Sequence, residues 1–435
     1  MLTDARTTPE VRVEPNRGIT TELGIDSEIG RLRQAIVHRP GSELSHLDSA
    51  GHHRPTRHAA RWADKAREEH DAFAEVLRGR GVTVHYFAEL LAQTLGSPPA
   101  RDFVLDRVCA SNHLGFDVTA AMGALANDCD PVTLADLLIG GVAKSDLVPR
   151  TGKARRHRFS GDDFVIPPLP NILFQRDTSA WLYGGMTINP MATAARHQES
   201  LYTRAIYRFH PLFADASITG YYGDDDLDHQ SATLDGGDIQ VLGHGALLIG
   251  MGKRTTPLAA ELLARELFRT HAAEVVVAVE MPKSWSPVPF DSVLTMVDTA
   301  TFVCSPHLDA ASLTSWLILP ADPDDPVDQG VGELHIEARA NLFDTIAEAL
   351  GVDEVRILSA SEDGDTADHR QGDIATNLLA LAPGVVVAHD DNVATNAMLR
   401  ENGFDVLATP SNALGRGRRG PRGLTCPIQR DVTAV

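Results

Sequence analysis

Three short runs place carboxylates at the edges of predicted strands. They are "PNILFQRD" at 170–177, ending in Asp177; "LDGGDIQVLG" at 234–243, where two glycines separate Asp235 from Asp238; and "PFDSVLTMVD" at 289–298, carrying Asp291. Carboxylates gathered from separate strands serve either a metal ion or a cation rich in N–H donors. None of these runs contains histidine, which weighs against a metal. A local reading stands beside both, because aspartate next to glycine often caps a turn. A fourth run, "GRGRRGPRGLTCPIQRD" at 415–431, has glycines that let the backbone turn and arginines that can grip a carboxylate, yet no nucleophile at its tip.

The elements that must hold these residues alternate between strands and helices. A strand is predicted in "LRQAIVHRP", an amphipathic helix from about Ala59 to Arg78, and a strand in "VTVHYF". Residues 89–150 are rich in alanine and leucine at helical spacing and read as a helical insertion. Strands follow in "SAWLYGGMTIN", "DIQVLG", "HGALLIGMG" and "AEVVVAVEM", with a helix in "TPLAAELLARELFRTH". Further on, "GELHIEARANLFDTIAEALG" reads as one helix before the strand "EVRILS", and "GVVVAHD", "NVATNAMLRENG" and "FDVLA" give strand, helix and strand. Paired strands followed by a helix recur at least twice, the mark of a repeated small unit.

Composition narrows the function classes. The 435 residues carry a formal net charge of -20, which argues against general nucleic-acid binding and favours cationic ligands. The four cysteines, Cys109, Cys129, Cys304 and Cys426, form no CxxC pair, so neither a zinc ribbon nor a disulfide framework is expected. That pattern suits a reducing cytoplasm. The first 18 residues read as a loose tail without an apolar leader, and no run of about 18 apolar residues suggests a membrane span.

"PNILFQRDTSAWLYGGMTINPM", "DGGDIQVLGHGALLIGMGKR", "FDSVLTMVD", "PGVVVAHDDNVATN" and "GRGRRGPRGLTCPIQRD" occur together and in this order. With them the chain resembles the arginine deiminase family from about Gly24 to Asp431. The resemblance implies an α/β fold, a five-bladed α/β propeller of repeated ββαβ units in the guanidine-modifying (pentein) superfamily. The propeller would take 19–88 and 151–435, with an inserted helical domain at 89–150 and the tail at 1–18. No cofactor and no metal are implied. The expected partners are a small guanidino compound such as L-arginine and further copies of this chain in a homo-oligomer, with no nucleic acid and no membrane.

In that family a cysteine thiolate attacks the guanidinium carbon of L-arginine, a histidine shuttles protons, ammonia leaves, and water releases citrulline. A guanidinium is resonance-stabilised, so this attack needs a strong nucleophile and a proton donor. The resemblance puts the guanidinium-holding aspartates at Asp177 and Asp291 and the glutamate of the EGGD motif at Asp235, one methylene shorter. It puts the carboxylate-gripping arginines at Arg196, Arg254 and Arg418, with Asn171 beside them, Phe174 as an apolar wall, and Asp238 and Gly417 as further substrate contacts.

The departures fall on the reacting groups. Pro289 stands two residues before Asp291, where the resemblance implies the histidine, and Gly423 stands where it implies the cysteine. Cys426 is three residues further on, about 10 Å along an extended segment, and matches a structural position in relatives. Near Trp62 the family's acidic "LFDD" segment is replaced by the basic "GHHRPTRHAAR" at 51–61, either a drifted helix start or an altered ligand entrance. Three readings remain open: altered non-covalent chemistry on a guanidino ligand with Asp235 or Asp291 as base; a catalytically silent arginine-binding or regulatory partner protein; and a deiminase inactivated by substitution. Loss of the nucleophile makes ordinary turnover the weakest expectation.

Overall fold

The computed structural model describes the chain apart from residues 1–22, 49–55, 148–162, 225–226, 284, 286–287, 307, 310–312, 323–332, 361–374, 415–418 and 434–435. The tail expected at 1–18, the substrate contacts expected at Gly417 and Arg418, and positions 51–55 of the basic stretch lie outside the described residues.

Among the described residues one pairing pattern occurs in five units. Each has an antiparallel pair whose middle strand runs parallel to a third strand, and a helix makes the crossover to that third strand, as parallel pairing requires. The first unit joins both ends of the chain: Thr425–Arg430 lies antiparallel to Leu32–Val37, which is parallel to Thr83–Tyr86 beyond helix Arg57–Gly79. The second comprises Ser179–Leu182, Gly185–Ile188 and Thr219–Tyr222 with helix His197–Phe209. The third comprises Ile239–Gly243, Ala246–Met251 and Val275–Glu280 with helix Pro257–Arg269. The fourth comprises Leu294–Asp298, Thr301–Cys304 and Arg356–Leu358 with helix Leu342–Leu350. The fifth comprises Leu379–Ala382, Val385–His389 and Asp405–Thr409 with helix Val393–Glu401.

Local chemistry sets the crossover helices. Arg57–Gly79 starts where the Thr56 hydroxyl accepts the Ala59 N–H, and it buries Ala59, Ala63, Ala66, His70, Phe73 and Leu77 along one stripe. Pro257–Arg269 has Thr256 as its cap and proline in its first turn. The single helix expected over 332–351 is instead a strand, Leu334–Arg339, and then helix Leu342–Leu350. The alternating Leu-His-Ile-Glu-Ala-Arg pairs antiparallel with Ser315–Pro320, and the Asn341 side chain caps the helix by accepting from Phe343 and Asp344 N–H. These two strands extend the third unit's sheet.

Between Thr83–Tyr86 and the second unit lie the helices Phe87–Leu95, Pro98–Ser111, Phe116–Asp128 and Pro131–Gly140. Their buried residues, Leu91, Val104, Met122 and Leu138 among them, join one apolar cluster with Trp181, Ile188, Ile249 and Ile428 of the units. The helices and the sheets therefore share a core.

Candidate functional site

The residues singled out by spacing all lie just before the first strand of a unit. Asp177 precedes Ser179–Leu182, Asp235 and the turn Gly236–Asp238 precede Ile239–Gly243, and the turn Phe290–Ser292 precedes Leu294–Asp298. Thr376 and Asn377 precede Leu379–Ala382, and Arg419 to Gly423 precede Thr425–Arg430. These five lead-in segments are tied in a ring of hydrogen bonds. Gly236 N–H donates to the Asp177 carbonyl at 3.0 Å, and Phe290 N–H to the Asp238 carboxylate at 2.8 Å. The Thr376 hydroxyl donates to the Ser292 carbonyl. The Asn377 side-chain oxygen accepts from Gly420 and Gly423 N–H at 3.0 and 2.8 Å, and Arg176 N–H donates to the Gly423 carbonyl at 3.2 Å, which closes the circuit.

Inside this ring Asp177 and Asp291 are both buried, and one guanidinium spans them. Arg419 Nη1 contacts Asp177 Oδ1, and its Nη2 donates to Asp291 Oδ2 at 2.8 Å. The Arg419 Cζ lies 5.4 Å from the centre of the Phe174 ring, within cation–π range. Two glycines make the seat. A Cβ on Gly423 would stand 2.6 Å from Arg419 Nε and 3.1 Å from its Cζ, and a Cβ on Gly237 would stand 2.4 Å from Nη2 and 3.0 Å from Pro289 Cβ.

A second buried arginine sits beside the first. Arg422 donates to Asp291 Oδ2 at 2.7 Å, to Glu28 Oε1 at 3.1 Å and to the Ile239 carbonyl at 2.7 Å. Arg196, expected at a substrate carboxylate, reaches Asp177 Oδ2 at 2.9 Å and Glu199 Oε2 at 2.8 Å. Arg254, about a third exposed, donates to Asp235 Oδ2 at 3.0 Å, and Asp235 Oδ1 accepts the Gly237 N–H at 2.9 Å. The other two expected contacts differ in placement. Asn171 is exposed and its backbone N–H goes to Glu199, while Phe174 is buried. A cavity of about 300 Å³ is lined by Leu44, Trp62, Asn171, Leu173, Phe174 and Leu414, and it is mostly apolar.

Burial governs the protonation of these groups. Burial, together with the neighbouring Asp235 charge, pushes the Asp238 carboxyl up to about 8, so it is mainly protonated at neutral pH. Burial alone would raise Glu28, but Arg422, Arg176 and Arg430 outweigh it and hold Glu28 down at about 2. Burial raises Asp291 against the pull of Arg422 and Arg176. Burial, with Arg422 and Arg176 near, depresses Arg419; the two carboxylates it bridges keep the guanidinium charged. Cys426 is buried against Ser179 and Tyr207, and its thiol is pushed up by burial, as befits a structural thiol.

Arg419, Arg422, Glu28, Glu199 and Asn377 were not read from the sequence as site residues. The signal for the arginines was present: "GRGRRGPRG" offers more cations than one substrate carboxylate needs, and buried aspartates demand partners.

A family model described as arginine deiminase matches residues 58–430. The chain belongs to the arginine deiminase family. Two solved structures resemble this family member over nearly their whole length. SxtG, an amidinotransferase from Microseira wollei in the saxitoxin biosynthetic pathway, is 13% identical with a TM-score of 0.55, over 95% of this chain and 98% of that one. The inosamine-phosphate amidinotransferase StrB1 from Streptomyces griseus is 15% identical with a TM-score of 0.50, over 94% of this chain and 97% of that one. At such identities the likeness is one of fold, and this arginine deiminase family member shares a mixed α/β fold with both.

Proposed function

We propose that this member of the arginine deiminase family is a catalytically silent binding or regulatory protein that keeps the family's guanidinium cradle without its covalent chemistry. The five units and the ring of lead-in segments support a five-bladed α/β propeller, with 89–150 as a helical insertion carried by it. The reading rests on one observation: the guanidinium between Asp177 and Asp291 belongs to the chain's own Arg419, and its Cζ faces Gly423, where the family resemblance implies a thiolate. A glycine has no atom to attack with, and Pro289 has no proton to give or take. Losing a covalent nucleophile commonly costs on the order of a millionfold in rate.

Altered non-covalent chemistry is less well supported. A carboxylate base must be open to its substrate, whereas Asp291 Oδ2 accepts from Arg419 and Arg422, and Asp235 accepts from Arg254 and Gly237. The decisive measurement is incubation of the purified protein with L-arginine, followed by mass spectrometry for citrulline and an ammonia assay. Both products should stay at the level of a protein-free blank; protein-dependent citrulline would end the reading.

A further inference from the structure

We infer that Arg419 is the cradle's resident ligand and decides what the site accepts: seated, it excludes free guanidino compounds, and its removal leaves a slot that takes up a guanidinium cation. The inference rests on the cradle reading above and extends it from chemistry to occupancy.

The contacts of Arg419 are those a bound guanidinium would need. Two of its nitrogens reach different carboxylates, Asp177 and Asp291, across 242 and 128 positions of sequence. A planar fork can span two acids in this way, while an ammonium is a single point. Phe174 supplies an aromatic surface, and Gly237, Gly423 and Pro289 leave a space in which any added side chain would collide. The Arg419 side chain is only 4% exposed, so nothing else can occupy that volume while it is seated.

Charge makes the slot selective once it is empty. The other cations around it are already shared: Arg196 among Asp177, Glu199 and Asp235, Arg422 between Asp291 and Glu28, Arg254 with Asp235, and Arg176 with Glu28. Asp177 keeps Arg196 and Asp291 keeps Arg422, but Asp177 Oδ1 loses the donor that Arg419 gave it, and a buried acceptor without a donor is costly, so a planar cation with N–H groups at matching positions is drawn in.

The test compares wild-type protein with Arg419→Ala, using methylguanidinium as the probe and methylammonium as the equally charged control, by calorimetry and thermal melting. Arg419→Ala should melt lower than wild type, and methylguanidinium should raise its melting temperature saturably and bind it at least about tenfold more tightly than it binds wild type. Methylammonium should do neither. Equal binding to both proteins, or no uptake by a folded Arg419→Ala, overturns the inference. Should that variant fail to fold, Gly423→Ala is read in the same assay. Its backbone tolerates a Cβ, because Gly423 is outside the left-handed region, but that Cβ must displace Arg419. A lowered melting temperature restored by methylguanidinium supports the inference, and an unchanged one overturns it. Citrulline from the wild-type protein would instead sink the silent reading; an inert wild type with an unresponsive Arg419→Ala sinks only the claim made here.

Discussion

Arg419 lies over Gly423 so closely that a β-carbon on the glycine would stand 2.6 Å from the arginine's Nε. The absence of a side chain at 423 and the presence of a guanidinium at the cradle are thus one packing arrangement, since neither a cysteine nor any larger residue fits while Arg419 is seated. A first consequence concerns reconstruction. Gly423→Cys with Pro289→His should yield little citrulline, because the arginine that the new side chain displaces stays tethered beside the slot and competes with substrate for it at an effective concentration in the millimolar range. Adding Arg419→Ala should raise citrulline formation at least about tenfold over the double variant, measured by mass spectrometry at fixed L-arginine. Equal rates with and without Arg419 would show that it is no competitor.

Arg422 is among the largest fully buried side chains of the protein and pairs with both Asp291 and Glu28. Arg422→Ala leaves two buried carboxylates facing each other with one fewer cation. The expected loss is about 3–5 kcal/mol of unfolding free energy in urea titration, since removing one partner strands the others. A loss under about 1 kcal/mol would mean that the pair is solvated.

Asn377 holds the approach to Gly423 through a single oxygen that accepts two backbone N–H groups, from Gly420 and Gly423. Asn377→Ala strands both donors, at roughly 1–3 kcal/mol for each buried unsatisfied group. Asn377→Asp keeps an acceptor oxygen for both donors and should lose less. Chemical denaturation of the two variants checks the order, and the reverse ranking would contradict the role given to this oxygen.

Stability should fall as the solution becomes mildly alkaline. Asp238 is held at about 8 in the folded protein by burial and by Asp235, above the ordinary carboxylate range, so the folded state binds more protons than the unfolded one between those values. Its contribution is fully present below the ordinary carboxylate pKa and is lost as pH rises through about 8. Asp238→Asn, whose amide can still accept the Phe290 N–H and face Thr255, should flatten this fall by a few kcal/mol at most. Melting curves from pH 5 to 9 decide it: an unchanged slope in Asp238→Asn assigns the effect elsewhere. Glu28 works with the opposite sign. Held at about 2 by Arg422, Arg176 and Arg430, it adds stability above the ordinary carboxylate value that is lost as pH drops toward 2.

Much of the fold was legible in the chain because it is set by local pattern. Alternating and continuous apolar runs marked most unit strands, and Thr56, Thr256 and their apolar stripes marked two crossover helices. The run at 332–351 misled because its charged residues sit at spacings that suit either period; only pairing with Ser315–Pro320 makes Leu334–Arg339 a strand. The strand Thr301–Cys304 was hidden in a short apolar run without alternation.

By itself the sequence determined that the chain has glycine at 423 and proline at 289, that aspartates stand at 177 and 291 with a third at 235 in place of a glutamate, and that its motifs stand in the order of one family. Those are properties of residue identity and spacing. Only the tertiary structure decided which guanidinium those aspartates hold, because Arg419 and Asp177 are 242 residues apart and meet only when the lead-in segments of all five units close into a ring. Burial then forces each charge to find a partner, and that demand acts through space rather than along the chain.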